Sequence, residues 1–219
     1  MNPIVRLGLL FLLLGPAALA GTEPSGWLGK GPTRTPYYVQ DSGKPGPKVV
    51  IVAGIHGDEP AGPAAAEQIR FWPIHKGCLL IVPKASATAL AARTRMTPNG
   101  GTNRANLNRV FPPPEKPRGP AEELAVELWS LIKEQRPDWV LDLHEGGDFR
   151  VRTTNSVGSS VIAAGLPEAI AAAGRLLNAL NATVADTNRG FVFLSQPIKG
   201  SLARAAADQL GARALILET

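Results

Sequence analysis

From position 48 to the end of the chain, short apolar runs alternate with stretches whose apolar residues recur at helical spacing. Residues 49–52, 79–82, 139–143, 191–194 and 214–217 are short, apolar and mostly rich in β-branched or aromatic side chains, which predicts buried strands. Residues 59–72 are rich in helix formers. In 121–135, Leu124, Leu128, Leu131 and Ile132 mark one helical face, and Pro120 suits its first turn. Residues 168–180 follow Pro167 in the same way, and 202–210 predict a last helix. Strands alternating with helices predict an α/β fold, a mixed and largely parallel β-sheet flanked by helices. Residues 99–120 read as a loop, with Gly100-Gly101 and the stop Pro112-Pro113-Pro114. No repeat of fixed period interrupts this plan.

The first 47 residues follow another pattern. Arg6 precedes an apolar run at 7–14, and Ala18-Leu19-Ala20 offers the small side chains of a cleavage site. Residues 1–20 therefore predict a signal peptide. The run is too short to span a bilayer, which takes ~20 residues, and no cysteine follows it to carry a lipid. The expectation is an exported protein, periplasmic or extracellular, with no stable membrane anchor after cleavage. Residues 21–47, rich in Gly, Pro, Thr and Ser with a short extended stretch near 37–39, are expected to be an N-terminal extension to one domain over 48–219.

Composition narrows the function little. The formal charge of +5 suits anionic substrates, but the basic residues are scattered. With two Tyr and six Phe there is no interleaving of aromatic and basic residues, so no nucleic-acid partner is expected. Cys78 is the sole cysteine, which excludes an intramolecular disulfide. Beside 79–82 it reads as a buried, inert thiol.

The chemistry collects where strands end. Of three histidines, His56 follows the run 49–52 within Gly54-Ile55-His56-Gly57-Asp58-Glu59, and His144 follows 139–143. Ligand crevices of open α/β sheets lie beyond the carboxyl ends of the strands, so the two can converge. Glu59, three residues after His56, can join them at one ion. Two nitrogens and one carboxylate leave a fourth tetrahedral position open, which is the catalytic zinc arrangement. His75 sits in a turn-like segment and receives no role. Asp142 faces the same way as His144 on a strand and could orient its ring or serve as a buried structural acid. Glu218 ends the run 214–217, a costly place for a core acid and a suitable one for a general base, although by position alone it reads as a solvated chain-end residue. Between positions 93 and 109 the chain is rich in Arg and Asn, polar side chains able to hold a carboxylate or a developing oxyanion.

Four segments occur in a telling order: Gly54-Ile55-His56-Gly57-Asp58-Glu59-Pro60, Asn106-Leu107-Asn108-Arg109-Val110-Phe111-Pro112, Asp142-Leu143-His144-Glu145-Gly146 and Leu217-Glu218-Thr219. Together they resemble the succinylglutamate desuccinylase/aspartoacylase family, a branch of the zinc carboxypeptidase-like superfamily. The resemblance implies one Zn2+ per chain held by His56, Glu59 and His144, and Glu218 as the catalytic glutamate. It implies that Asn108 and Arg109 bind a substrate carboxylate and that Arg95 polarises the scissile carbonyl, with Arg93 and Arg104 as competitors for that role. Family members usually continue beyond the equivalent of Thr219, so either the chain is cut short or the site lacks its far wall.

The implied activity is hydrolysis of an amide bond next to a carboxylate, on a small-molecule or peptide substrate. Deacylation of N-acyl amino acids is favoured by the segment 106–112. An exported carboxypeptidase acting on cell-wall or other peptides is the alternative within the family, and a non-catalytic zinc-containing binding protein is the alternative outside it.

Overall fold

Strands that are apolar on both faces need helices on both sides. In the computed structural model, which describes residues 23–99, 105–164 and 166–219, the sheet receives that cover. The expected signal peptide and Arg104 lie outside the described residues. Among these, eight strands form one sheet: β1 (Gly26–Leu28), β2 (Thr35–Asp41), β3 (Lys48–Ala53), β4 (Cys78–Val82), β5 (Trp139–His144), β6 (Ser160–Ala164), β7 (Val192–Ser195) and β8 (Arg213–Glu218). Their order is β1-β2-β4-β3-β5-β8-β6-β7. The centre, β4-β3-β5-β8, is parallel. The flanks are mixed, with β2 antiparallel to β4 and β6 antiparallel to β8.

The helices are α1 (Ala61–Ile69), α2 (Ala87–Ala92), α3 (Pro120–Gln135), α4 (Pro167–Asn181) and α5 (Leu202–Leu210). On one face Val50, Val52, Leu80, Val140 and Ile216 meet α3 and α5. On the other, Ile51, Ala53 and Ile81 meet α1, and Val161 and Leu215 meet α4. Helix α3 buries the stripe expected of it, Leu124, Leu128, Leu131 and Ile132, with Trp129 beside them. Each such side chain contributes about 1.5–3 kcal/mol. Arg136 ends the helix in the left-handed conformation.

Three features depart from the sequence pattern. Strand β6 was not expected, because Ser160, Ala163 and Ala164 carry no strong strand preference; it forms by pairing between β8 and β7. The segment read as an extension supplies β1 and β2, which continue the sheet beyond β4. Helix α1 starts at Ala61 and leaves Glu59 in the loop before it.

Candidate active site

Strands β3, β5 and β8 are parallel neighbours, so their carboxyl ends open on one edge of the sheet. His144 and Glu218 are the last residues of β5 and β8 and face each other in register. His56 follows β3 after a bend that the local sequence makes possible. Gly54 adopts φ +70°, and a Cβ at Gly57 would stand 1.9 Å from the Ala89 carbonyl oxygen of α2. Buried Ile55 pins the loop, and the Gly57 N–H donates to the Thr94 carbonyl at 2.9 Å. Glu59 is held from the far side. The Glu145 backbone N–H donates to its Oε2 at 3.3 Å, and the Glu145 carboxylate accepts from Ala61 N–H at 3.0 Å, capping α1 where Pro60 offers no cap of its own.

The buried Glu59 carboxylate bridges the histidines. His56 Nδ1 is 2.8 Å from Oε1, and His144 Nδ1 is 2.6 Å from Oε2. The outer nitrogens are engaged behind them: His56 Nε2 lies 3.0 Å from Asn106 Oδ1, and His144 Nε2 lies 3.0 Å from Asp142 Oδ2. Protons on the two Nε2 atoms leave both Nδ1 lone pairs directed at one point. The three donors lie within 4.8 Å of one another, a nitrogen–nitrogen–carboxylate set that fits zinc with an open fourth position. Asp142 is fully buried and, among the described residues, faces only that imidazole, as suits a carboxylate backing a cationic centre.

Charge in the site follows from burial and pairing. Burial pushes the Glu59 pKa upward, but hydrogen bonds from His144 and His56 outweigh it and hold Glu59 well below the carboxylate range. Burial lowers His144, yet Asp142 and then Glu59 keep it protonated well above its ordinary value. Without a metal, a proton thus sits where a cation would. Glu218 is raised to about 7, chiefly by burial, with His144 offsetting part of the rise and Glu59 and Asp142 adding to it. Arg109 is lowered by burial and by the nearby Arg95, against the pull of Glu218.

A cavity of about 480 Å³ opens beside these groups, bordered by His56, Arg95, Asn108, Arg109 and Glu218. A smaller one of about 250 Å³ adjoins it at Arg95, Val157 and Glu218 and is walled by Glu59, Glu145 and the loop 146–156. Arg95 forms an ion pair with Glu59 and reaches both cavities. Arg93 caps α2 in the left-handed conformation and borders neither cavity. Asn108 borders the larger cavity with its amide turned toward protein groups. Its Oδ1 accepts from Leu202 N–H at 2.9 Å and its Nδ2 lies 3.1 Å from His144 Nε2, so both ends of the amide face protein groups. Arg109 Nη1 donates to the Asn108 carbonyl at 2.7 Å, which fixes the guanidinium at the cavity wall. His75 is exposed. Cys78 is partly rather than fully buried, and burial together with Asp41 raises its thiol pKa.

Two contributors went unassigned in the sequence. Asn106 caps its own turn by accepting from Asn108 N–H and simultaneously holds His56; the Asn-x-Asn spacing signals the turn but not the imidazole contact. Glu145 had no signal beyond standing next to His144.

Residues 45–219 match the succinylglutamate desuccinylase/aspartoacylase catalytic domain. The chain belongs to this family. The N-alpha-acetyl-L-2,4-diaminobutyric acid deacetylase of Halomonas elongata is 33% identical over 129 residues, 57% of this chain and 35% of that protein. An aspartoacylase family protein from Mesorhizobium loti shares the fold at a TM-score of 0.64 and 24% identity, over 88% of this chain and 59% of its own. The tripeptide-bound cell shape determinant Csd4 from Helicobacter pylori superposes at 0.70 and 21% identity, over 84% of this chain and 49% of its own. The chain thus spans between a third and three-fifths of these relatives. The desuccinylase/aspartoacylase match takes in every residue of the site from His56 to Glu218, whereas β1 and β2 precede it.

Proposed function

We propose that the chain is a zinc-dependent hydrolase cleaving the amide bond of an N-acyl amino acid whose free carboxylate lies beside the scissile bond. One observation carries the reading: Glu218, with a pKa of about 7, ends the strand beside His144 and shares a cavity with His56 and two arginines. The naming of the Halomonas elongata relative as a deacetylase supports the deacylase form.

His56, Glu59 and His144 would hold the zinc ion, which when bound would supply Lewis acidity to a water and to the scissile carbonyl. Glu218 takes a proton from the attacking water and delivers it to the leaving amine. Arg109, already oriented by the Asn108 carbonyl, turns its remaining N–H groups to the substrate carboxylate. Arg95 meets the negative charge growing on the carbonyl oxygen. Asn108 acts by positioning: its Oδ1 holds the first turn of α5 and its carbonyl orients Arg109.

The enzyme works outside the cytoplasm, a reading supported by the leader pattern of 7–14 with Ala18-Leu19-Ala20; the exported chain is expected to begin at Gly21 when its amino terminus is sequenced. The activity is tested by offering the purified full-length chain a panel of N-acetyl amino acids and short peptides. A chelator is expected to abolish release of the free amine and added zinc to restore it. Zinc-loaded protein that cleaves none of them would be a binding protein instead.

A further inference from the structure

Beyond Glu218 the floor of the larger cavity is a row of three aliphatic side chains. Ile162 of β6 is the register partner of Ile216 in β8 and of Leu194 in β7, so the three stand side by side on one face. Adjacent strands are ~4.8 Å apart, which makes the row about 10 Å wide. Val157 and Ile198, 40% and 54% exposed, stand at its mouth. Glu218 lies two residues beyond Ile216 on the same face, about 7 Å away. A group bonded near the scissile amine therefore reaches the floor within one side-chain length.

The charges lie elsewhere. Arg95 is paired with Glu59. Arg109 borders this cavity and not the smaller one, so the carboxylate-bearing half of the substrate enters here. The acyl half falls to the smaller cavity, walled by Glu145, Asn155 and Ser156. With Arg109 occupied by the carboxylate and Arg95 by Glu59 and the scissile carbonyl, no further Lys or Arg among the described residues borders the aliphatic floor. A second carboxylate on the side chain would be desolvated there with no cationic partner among the described residues.

We propose that the amino acid released by this site carries an uncharged aliphatic side chain, lying along Ile216, Ile162 and Leu194 while Arg109 holds its carboxylate. The assignment rests on the hydrolase reading in taking Arg109 as the carboxylate grip.

The test uses the zinc-loaded full-length chain and N-acetyl amino acids that differ only in side chain. From alanine through 2-aminobutyrate to norvaline, kcat/KM is expected to rise about threefold to fourfold per methylene. N-acetylleucine is expected to exceed the near-isosteric N-acetylaspartate by at least about 100-fold. Leu194→Ala should lower the ratio of the leucine to the alanine kcat/KM several-fold, and Leu194→Arg should move preference toward aspartate. Titration of free leucine and free aspartate into the same protein reads the cavity without turnover, leucine being expected to bind the more tightly. Equal or better use of N-acetylaspartate, or tighter binding of aspartate, would overturn the assignment with the hydrolase intact. Absence of all turnover would remove the hydrolase reading, and the titration would still decide what the cavity accepts.

Discussion

A glutamate one residue from the end of the chain reads as a solvated acid, but Glu218 is only 8% exposed and keeps its proton up to about pH 7. Its chemistry comes from neighbours remote in sequence: burial between strands, His144 beside it, and the carboxylates of Glu59 and Asp142 behind. In its proposed role as general base it works deprotonated, so activity is expected to rise with pH on an acid limb. A bound cation favours the ionised form and draws that limb below 7, toward the ordinary 4.5. Glu218→Gln cannot accept the proton. Its kcat is expected to fall about 10²–10⁴-fold and the limb to vanish, while zinc content by elemental analysis stays at the parent's level. A variant that keeps rate and limb would remove Glu218 from the mechanism; one that loses zinc would make it a ligand or support.

At the scale of the element, the segment from Gly54 to Glu59 decides whether two ligands can share one ion. Its course depends on α2, a helix of weak sequence signal, because the loop passes so close to the Ala89 carbonyl that only glycine fits at 57. Gly57→Ala forces the two apart and is expected to cost about 1–3 kcal/mol or more. For a chain of this size that lowers the melting temperature by roughly 2–4 °C per kcal/mol. Zinc affinity should fall with it, since His56 and Glu59 flank the displaced residue. Calorimetry and metal titration of the variant check this, and an unchanged melting temperature with full zinc would mean that the loop yields freely. Glu145 shows the same dependence between elements: a residue after β5 caps α1 and backs Glu59.

For the whole molecule, metal and proton compete at one buried cluster that joins β3 and β5. In the metal-free protein Glu59 is depressed, so its contribution to stability is present above the unfolded carboxylate value of 4.5 and is lost as pH falls through the folded value. His144 is raised, so its contribution is present below 6.5 and is lost as pH rises through its folded value. A cation must displace the His144 proton, and therefore binds more tightly as pH rises. Zinc at a free concentration 100 times its dissociation constant adds about 2.7 kcal/mol, or roughly 5–11 °C in melting temperature for a chain of this size. The zinc-induced increment at fixed zinc should be larger at pH 8 than at pH 6. An increment that ignores pH would place the ion away from the histidines.

What the chain decides locally is legible in it. Apolar runs specify β3, β4, β5 and β8 because burial on both faces leaves a continuous signal, and α3 shows its buried stripe through spacing alone. His56 and His144 stand out as metal ligands because each lies at or just past the end of such a strand, and Glu59 through its spacing from His56. Strand β6 was not legible, since its small residues become a strand only between β8 and β7. Nor could composition choose Arg95 over Arg93: Arg95 pairs with Glu59 in the site, whereas Arg93 caps α2 through its backbone and borders neither cavity. The use of Asn108 inside the protein, the cap from Glu145 and the aliphatic floor of the cavity all join residues from separate elements. Register between strands and the packing of loops on helices bring them together, and those long-range contacts exist only once the tertiary structure has formed.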